Sequence, residues 1–289
     1  MSAKILDGKA LSLKLQAGLK AEVERLKMET GKTPRFMNIV IGSDPGAASY
    51  GKSQKKVADN IGVDYQFSHL QQHVTQKELI DHIRFLNEDP AVHGIMLHKP
   101  VPEGIDFKEA VNEISFHKDL EGMTLMNLGQ LFLNRTKIIP CTAAGAMALL
   151  ESSGVNLAGK NALVVGRSEI VGKPMMLLLL EKNATVTVCH SATTKANRLV
   201  EEVKRAEILV VAMERAGFIK GEWVREGAIV IDVGINEDAQ GKIVGDVEFD
   251  EAAKRASFIT PVPGGVGPVT AVCLMKNGIE MFKQFVGKV

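Results

Sequence analysis

The sequence predicts an α/β protein with two domains, and three observations support this fold class. Short β-branched apolar runs alternate with longer amphipathic segments along the whole chain, a pattern typical of parallel sheets with crossover helices. The chain has 289 residues, of which 45% are hydrophobic and 24% charged, enough for two ordinary hydrophobic cores. A strand–turn–helix pattern at Asn161–Leu180 then starts a second series of alternation. We therefore expect two α/β domains in succession.

In the first half, helix and strand signals follow one another regularly. Asp7 can cap a helix from Lys9 to Glu29, and Gly31 can end it. Thr75 and Glu78 form a capping box for a later helix. Strands are predicted at Phe36–Ile41, Tyr65–His69 and Val92–Leu97, with a helix at Ala47–Ile61 and a short helix at Asp106–Ile114. This βαβαβ order predicts a parallel sheet.

The second half repeats this alternation after a helix at Ala144–Ser153. Nearly all-apolar strands are predicted at Ala162–Val165, Ala184–Cys189, Ile208–Met213 and Ala228–Val233, as expected for a sheet covered on both faces. The last helix, Val269–Phe285, is long enough to pack on the first domain. We expect a first domain of residues 1–140 completed by 270–289, and a doubly wound second domain of residues 141–269.

Charge and cysteine content exclude several classes of protein. The net charge is +1, and the basic cluster Lys52, Lys55 and Lys56 lacks interleaved aromatic residues, so we expect no nucleic acid partner. The three cysteines are far apart and form no C-x-x-C pair, which argues against a disulfide framework and a zinc site. No apolar run is long enough to span a membrane. We expect a cytoplasmic protein with no bound metal and no membrane contact.

The turn after the strand Ala162–Val165 has the features of a phosphate-binding loop. Gly166 interrupts the apolar run, and Pro174 suits the first turn of a helix, so the positive helix end would face Gly166, Arg167 and Ser168. The spacing G-x-S-x-x-x-G differs from the common dinucleotide fingerprint. The turn therefore fits either a dinucleotide site or an ordinary βα turn.

The end of the next strand favours NADP over NAD as the cofactor. NAD sites usually carry an Asp or Glu there for the ribose hydroxyls, whereas this chain has His190 and Ser191. Arg167 and Ser191 could both bind a 2′-phosphate. The alternative is that Arg167 is a solvated loop residue and Ser191 a turn former.

Two further loops are candidate ligand-binding segments. His98 and Lys99 follow the third strand of the first domain, at the carboxyl end of its sheet, where open α/β sheets bind ligands. The charged loop His117–Gly122 could close over the same crevice, although solvated surface loops explain these charges equally well. Residues Thr260–Pro268 contain three glycines and three prolines, which would let the backbone approach a flat ligand closely.

These motifs together resemble the bifunctional methylenetetrahydrofolate dehydrogenase/methenyltetrahydrofolate cyclohydrolase (FolD) family over essentially the whole chain. The matching segments are VVGRSEIVGKPM, ATVTVCHS, GAIVIDVGIN, KIVGDV and ITPVPGGVGPVT. The resemblance implies an N-terminal folate domain completed by the C-terminal helix, a Rossmann-type NADP domain and a homodimer. It also implies that NADP binds at Gly166, Arg167, Ser168, Ser191 and Ile235, and that Pro263, Gly264 and Gly265 lie beside the nicotinamide and folate.

The folate side departs from the family pattern at three positions. The family has Tyr-x-x-x-Lys on its second helix, Gln-Leu-Pro after its third strand and Asp-Val-Asp-Gly in the next loop. This chain keeps Tyr50 but has Gln54 at the lysine position, His98 at the glutamine position and Glu121 at the second aspartate position. Residues four apart share a helix face, so Gln54 is expected to point with Tyr50. Glu214 also stands where many relatives have a Gly-x-Pro turn.

These changes lead to specific expectations about each half-reaction. Hydride transfer needs orientation, which the loss of a lysine can leave intact, whereas cyclohydrolysis must move protons, which glutamine cannot do. We therefore expect Tyr50, His98 and Lys99 to be catalytic, with either Lys99 or His98 replacing the lysine, because only one of the two can easily face inward. Substrate contacts are expected at Tyr50, Gln54, His98, Lys99, Glu121 and Pro263–Gly265.

The sequence leaves three functions open. The first is an NADP-dependent methylenetetrahydrofolate dehydrogenase whose cyclohydrolase activity is reduced or remodelled. The second is a dehydrogenase for another pterin-like or one-carbon substrate. The third is a folate- or nucleotide-binding paralogue without catalysis.

Overall fold

The computed structural model describes residues 2–287 and confirms the predicted α/β class with parallel sheets. The strands are β1 Lys4–Ile5, β2 Arg35–Ile41, β3 Asp64–Leu70, β4 Gly94–Leu97, β5 Asn161–Val165, β6 Thr185–Cys189, β7 Ile208–Val211, β8 Ile229–Asp232, β9 Asn236–Glu237, β10 Ile243–Val244 and β11 Phe258–Ile259. The helices are α1 Gly8–Thr30, α2 Pro45–Ile61, α3 Gln76–Glu88, α4 Phe107–Glu113, α5 Leu125–Phe132, α6 Cys141–Ser152, α7 Gly172–Glu181, α8 Ser191–Lys195, α9 Leu199–Arg205, α10 Phe249–Arg255 and α11 Val266–Phe285.

The described chain divides into two compact units. Unit 1 comprises residues up to Leu13 together with Pro140–Thr270, and unit 2 comprises Lys14–Ile139 together with the residues from Ala271 onward. The predicted first domain began at residue 1, whereas here the first residues belong with the second half of the chain. The reason is β1, whose two residues pair in parallel with β11.

Unit 1 contains a six-stranded parallel sheet in the order β1-β11-β8-β7-β5-β6. Its central strands β7 and β8 are buried along their whole length, which explains their nearly all-apolar sequences. The short antiparallel pair β9–β10, which the sequence did not suggest, follows β8. The strand order reverses beside β5, so the turn after β5 lies where ligands bind in open α/β sheets.

Unit 2 contains a three-stranded parallel sheet in the order β3-β2-β4. Its core lies between the sheet and α3 and α4, and includes Ile39, Leu79, Ile83, Ile95 and Leu97. The capping box predicted for α3 is present, with Thr75 accepting from the backbone of Glu78 and the Glu78 carboxylate accepting from the backbone N–H of Thr75. Asp7 caps α1 as expected, through backbone N–H groups of Lys9 and Ala10 at 2.8 and 3.0 Å.

Candidate functional site

The turn after β5 in unit 1 requires glycine at two positions. Gly166 has φ +126°, and a Cβ there would lie 2.3 Å from the carbonyl oxygen of Ala212. A Cβ at Gly172, the first residue of α7, would lie 2.4 Å from the carbonyl oxygen of Gly166. The helix therefore starts in close contact with the turn, as a site for an anion at the helix N-terminus requires.

Ser168 and Arg167 have different local environments in this turn. The Ser168 hydroxyl accepts hydrogen bonds from the backbone N–H groups of Val171 and Gly172 at 3.1 and 3.3 Å, so it helps to hold the start of α7. Arg167 is exposed, and its guanidinium is accessible to an anionic ligand.

Arg167 and Ser191 lie at the same edge of the unit 1 sheet. β5 and β6 are paired in parallel, with Val165 opposite Cys189, and each of the two polar residues follows its strand by two positions. Ser191 is exposed at the start of α8, where the His190 side chain accepts from the backbone N–H of Ala192 at 3.3 Å. A guanidinium and a hydroxyl at this edge, without a carboxylate at the end of β6, fit a ribose 2′-phosphate.

A second part of unit 1 forms a cavity of about 200 Å³ lined by Ile235 and the glycine- and proline-rich segment Pro261–Pro268. Gly264 has φ +107°, and its carbonyl oxygen accepts from the backbone N–H of Gly8 at 2.9 Å. A Cβ at Gly8 would lie 1.7 Å from the carbonyl oxygen of Gly265. The backbone of the cavity wall is thus packed directly against the start of α1, which also brings Lys9 to the cavity.

Asp232, at the end of β8, lines the same cavity and is 4% exposed. Its carboxylate accepts from the backbone N–H groups of Gly234, Asp246 and Val247 at 3.0, 3.1 and 2.9 Å. Burial raises the pKa of Asp232 to about 7, because desolvation outweighs these three donors and the Asp246 charge adds to it.

Asp246 holds the loop after β7. Its carboxylate accepts from the backbone N–H groups of Met213 and Arg215 at 2.6 and 2.7 Å and from the Asn236 side chain at 2.9 Å. Between them Glu214 adopts φ +56°, and its side chain is exposed. The acid noted in this loop therefore faces outward, while the buried Asp246 shapes the loop.

In unit 2, a buried polar network links helix α2 to the sheet. The Tyr65 hydroxyl donates to Oε1 of Gln54 at 2.8 Å, and Nδ2 of Asn38 lies 3.3 Å from the same oxygen. Nδ2 of Asn38 also lies 3.1 Å from Nδ1 of His98. Gln54 completes its contacts with Nε2 donating to Sδ of Met96 at 3.6 Å. We call the side chains of Asn38, Gln54, Tyr65 and His98 the amide network.

The position of Gln54 differs from the sequence expectation. Tyr50 is 38% exposed, but Gln54, one helical turn later, is 1% exposed and its polar atoms are bonded within the amide network. The reason is that α2 packs on β3, so the position four residues after Tyr50 turns towards Tyr65. Gln54 therefore faces the interior and not the surface that a directly bound substrate would contact.

The structure separates the neighbours His98 and Lys99. His98 is 4% exposed and faces inward, and its ring forms a T-shaped pair with the Tyr50 ring at 5.8 Å between centroids. Lys99 is exposed, and its ammonium lies over the Phe107 ring at 4.2 Å from the centroid. Of the two alternatives open in the sequence, His98 is the inward residue.

The loop after α4 brings two carboxyl groups close to this site. Asp119 is fully occupied, because its oxygens accept from the backbone of Gly122 and Thr124 and from the Asn127 side chain. For the Glu121 carboxylate, the described residues 2–287 supply no comparable set of donors. Its pKa is raised to about 8, first by burial and then by the Asp119 charge, while Lys99 opposes the rise.

Comparison with known proteins identifies the family. Residues 6–121 match the model for the catalytic domain of tetrahydrofolate dehydrogenase/cyclohydrolase, and residues 140–286 match the model for its NAD(P)-binding domain. The chain belongs to the tetrahydrofolate dehydrogenase/cyclohydrolase family. A Myxococcus xanthus relative described as bifunctional protein FolD 2 is 49% identical over 97% of this chain and 96% of its own length.

Solved structures of this family superpose closely on the chain. The bifunctional FolD enzyme of Campylobacter jejuni has a TM-score of 0.94 and 39% identity, covering 98% of this chain and 99% of its own. The Trypanosoma brucei FolD structure, complexed with NADP cofactor and an inhibitor, has a TM-score of 0.93 and 39% identity, covering 99% of both chains. Folate as the substrate class and NADP as the cofactor agree with the sequence predictions, whereas the pterin-like and non-catalytic alternatives have no support in these matches.

Several residues around the family's site were missed in the sequence. Asn38 and Tyr65 were assigned only to strands, yet both belong to the amide network. An amide inside the apolar run FMNIVI was a signal for Asn38, because a buried strand tolerates a polar side chain only with partners. Lys9 and Asp246 gave no comparable signal.

Residues 2–287 contain neither a metal-binding cluster nor a membrane-spanning helix. No group of three or more His, Cys, Asp or Glu side chains in this part of the chain could hold a metal ion. None of the helices described there is long and apolar enough to cross a membrane.

Proposed function

We propose that this chain is an NADP-dependent methylenetetrahydrofolate dehydrogenase that also hydrolyses the methenyl product to formyltetrahydrofolate. Family membership over both domain models supports the two activities. The observation that carries the cofactor assignment is the pair Arg167 and Ser191 at one sheet edge, with no carboxylate at the end of β6.

In this proposal unit 1 binds NADP. Gly166 and the start of α7 receive the pyrophosphate, Ser168 fixes that turn, and Arg167 and Ser191 bind the 2′-phosphate. Ile235 and Pro263–Gly265 form the wall beside the nicotinamide. When bound, NADP accepts a hydride from the methylene carbon of the substrate. Residues 141–269 would form the cofactor domain and residues 1–140 with 270–289 the folate domain, except that the residues up to Leu13 pack with the cofactor unit through β1.

In unit 2, Tyr50 and His98 would orient the folate ring, and Glu121 would contact its N–H groups. Orientation is what hydride transfer requires, so replacement of the family lysine by the buried Gln54 is compatible with dehydrogenase activity. Cyclohydrolysis needs a proton-transfer group, and Lys99 remains our candidate for it. A homodimer and a cytoplasmic location stay predictions.

Cofactor selectivity tests the first part of the proposal. Arg167→Ala should weaken NADP binding by about tenfold or more and leave NAD binding nearly unchanged, because a charge-assisted contact to the 2′-phosphate is lost. Lys182→Ala is the matched control, since Lys182 is an exposed cation paired with Glu151 just beyond the other end of α7. Equal losses for NADP and NAD in a fluorescence titration would show that Arg167 is structural.

Separate assays of the two half-reactions test the catalytic part. Purified protein is assayed with methylenetetrahydrofolate and NADP, and then with the methenyl compound alone. Lys99→Met should reduce cyclohydrolase activity and retain dehydrogenase activity, whereas Lys52→Met, which removes an exposed lysine from α2, should change neither. Gln54→Lys restores the lysine of the family pattern. If this variant gains cyclohydrolase activity while Lys99→Met leaves that activity unchanged, Lys99 has not replaced the family lysine.

A further inference from the structure

Asn38 is an unusual residue for its position in unit 2. It lies in the middle of β2, the central strand of the sheet, opposite Phe67 on β3 and Met96 on β4, and it is fully buried. Burial of an amide costs free energy unless its donors and acceptor find partners. Both partners of its Nδ2, Gln54 and His98, belong to the amide network.

The donor and acceptor atoms of the amide network can be assigned by starting from the Tyr65 hydroxyl. The Tyr65 hydroxyl donates to Oε1 of Gln54, so that oxygen is an acceptor. The Asn38 atom at 3.3 Å from it must then be the donor Nδ2. Since the same Nδ2 faces Nδ1 of His98, that ring nitrogen accepts the hydrogen bond.

Reversed amide orientations satisfy fewer groups. If Gln54 were turned over, its oxygen would face Sδ of Met96, which has no proton to give, and its NH₂ group would face the Tyr65 hydroxyl. If Asn38 were turned over as well, both hydrogens of its NH₂ group would take the place of Oδ1, an atom that is buried without a partner. Leaving two buried donors unpaired is worse than leaving one acceptor unpaired.

This arrangement fixes the chemistry of His98. With Nδ1 accepting, the neutral ring carries its proton on Nε2. Nε2 has no hydrogen-bond partner among residues 2–287, yet it is not enclosed like Nε2 of His93, which is buried without a partner. Burial lowers the pKa of His98, against the opposing charge of Asp44, and a donor facing Nδ1 further disfavours the imidazolium.

We propose that Asn38 is a positioning residue that holds His98 as the neutral Nε2–H tautomer, so that His98 donates a fixed hydrogen bond to an acceptor atom of the folate ring system. The identity of this ligand rests on the proposed function. In this role His98 orients the substrate and does not take up a proton during cyclohydrolysis, which assigns proton transfer to another group.

Two-bond ¹⁵N–¹H correlation spectra of the full-length protein measure the tautomer without any substrate. His98→Asn assigns the ring signals among the seven histidines. In the wild type at pH 7 we expect His98 to be protonated on Nε2 only. Asn38→Asp places an acceptor opposite Nδ1 and should move the proton to Nδ1 or give the imidazolium.

Two further variants keep this experiment decisive. If Asn38→Asp does not fold, Asn38→Ser is used, and it should give a mixture of the two tautomers because the amide donor is gone. Ser68→Ala is the matched control, since Ser68 bonds the ring of His82 at 2.7 Å in the same unit and should leave the His98 signals unchanged. A wild-type proton on Nδ1, or an Asn38→Asp variant with an unchanged tautomer, would overturn the proposal.

Steady-state kinetics with methylenetetrahydrofolate and NADP test the donor role. His98→Gln keeps an N–H donor and should leave KM within about threefold, whereas His98→Leu should raise KM about tenfold with a smaller change in kcat. Asn38→Asp should resemble His98→Leu. An unchanged KM in His98→Leu would overturn the donor role. Absence of turnover in the wild type would refute the proposed function, while the tautomer measurement would still decide the role of Asn38.

Discussion

In unit 1, the buried carboxylates of Asp232 and Asp246 accept mainly from backbone N–H groups, whereas in unit 2 the buried side chains of the amide network bond mostly to one another. A backbone donor is present whatever residue supplies it, so the unit 1 arrangement depends on the two aspartates alone. The amide network depends on the identity of every member. Substitutions should therefore act locally at the unit 1 loops but propagate through several residues in unit 2.

The two units also carry separate optical probes. The single tryptophan, Trp223, packs on the unit 1 core, and both tyrosines of the chain, Tyr50 and Tyr65, lie in unit 2. Urea unfolding followed by tryptophan fluorescence therefore reports on unit 1, and the tyrosine signal reports on unit 2.

The largest effect is expected for Asp246→Ala. The change removes the acceptor of the backbone N–H groups of Met213, Glu214 and Arg215, which should lower the free energy of unfolding by about 3–5 kcal/mol. The Asn236 side chain loses the same acceptor and keeps its 3.5 Å contact with the carbonyl oxygen of Val244. Urea unfolding with the Trp223 signal measures this. Asp246→Asn keeps an acceptor oxygen and should cost less than half as much. If Asp246→Ala lowered the free energy of unfolding by less than about 1 kcal/mol, water would be accepting the hydrogen bonds of the loop N–H groups in place of Asp246.

Gln54→Leu should have the next largest effect, at about 3 kcal/mol. It removes the acceptor shared by the Tyr65 hydroxyl and Asn38, so two buried donors lose a partner. The tyrosine signal in urea unfolding measures the change in the free energy of unfolding of unit 2. The same variant should disturb the His98 ring signals, which lie two hydrogen bonds away. Unchanged His98 signals would show that the network does not transmit the substitution.

Glu121 should make unit 2 less stable as the pH rises. Its pKa is about 8 in the folded protein and 4.5 ordinarily, so the folded state holds a proton that the unfolded state loses between these values. The stabilisation present below about pH 4.5 is lost as the pH rises towards 8, by about 2 kcal/mol after allowance for solvent screening. The urea midpoint of unit 2 should fall as the pH rises across this range, and in Glu121→Gln this pH dependence should be absent.

Asp232 provides the comparison within unit 1, because its pKa of about 7 lies above the ordinary 3.8 for the same reason, burial. The Trp223 signal of the Glu121→Gln variant should keep its own pH dependence, which belongs to Asp232. If Glu121→Gln removed the pH dependence of unfolding from both the tyrosine and the Trp223 signals, the two units would not titrate separately.

The smallest effect is expected for Tyr65→Phe, at about 1 kcal/mol. The ring stays buried and Oε1 of Gln54 keeps Asn38 as a donor, so the main loss is the neutral hydrogen bond from the Tyr65 hydroxyl to that oxygen. Combined with Gln54→Leu in a double-mutant cycle, it should show coupling between the two side chains. Because this substitution removes a tyrosine, unfolding of these variants is followed by circular dichroism. If the losses in free energy of unfolding of the two single variants sum to the loss in the double variant, the two side chains do not share a network.

Much of the fold was predictable because its signals are local. The capping box at Thr75, the glycine turn after β5 and the apolar central strands each depend on a few adjacent residues. The assignment of β1 to the unit 1 sheet was not predictable, because two residues, Lys4 and Ile5, carry no periodicity and pair with a strand more than 250 residues away.

The candidate site divides in the same way. Arg167 and Ser191 could be placed at one edge because parallel strands end together. The burial of Gln54 could not be read from its spacing to Tyr50, since helical spacing gives the angle between two side chains but not the position of the sheet beneath the helix. The sequence also could not show which of His98 and Lys99 faces inward. His98 contacts Asn38, a residue 60 positions earlier in the chain.

Helix α11 has a consequence for synthesis of the chain on the ribosome. Within unit 2, the Asn277 side chain donates to the carbonyl oxygens of Leu120 and Ile139 at 2.9 Å each, Gly278 packs on Phe36, and Phe282 lies against His93. These partners leave the exit tunnel long before α11 does. Unit 2 must therefore wait with an incomplete core until α11 has been synthesised, although its first strand was made much earlier. Nascent chains stalled before residue 271 should remain sensitive to protease in the segment 14–139.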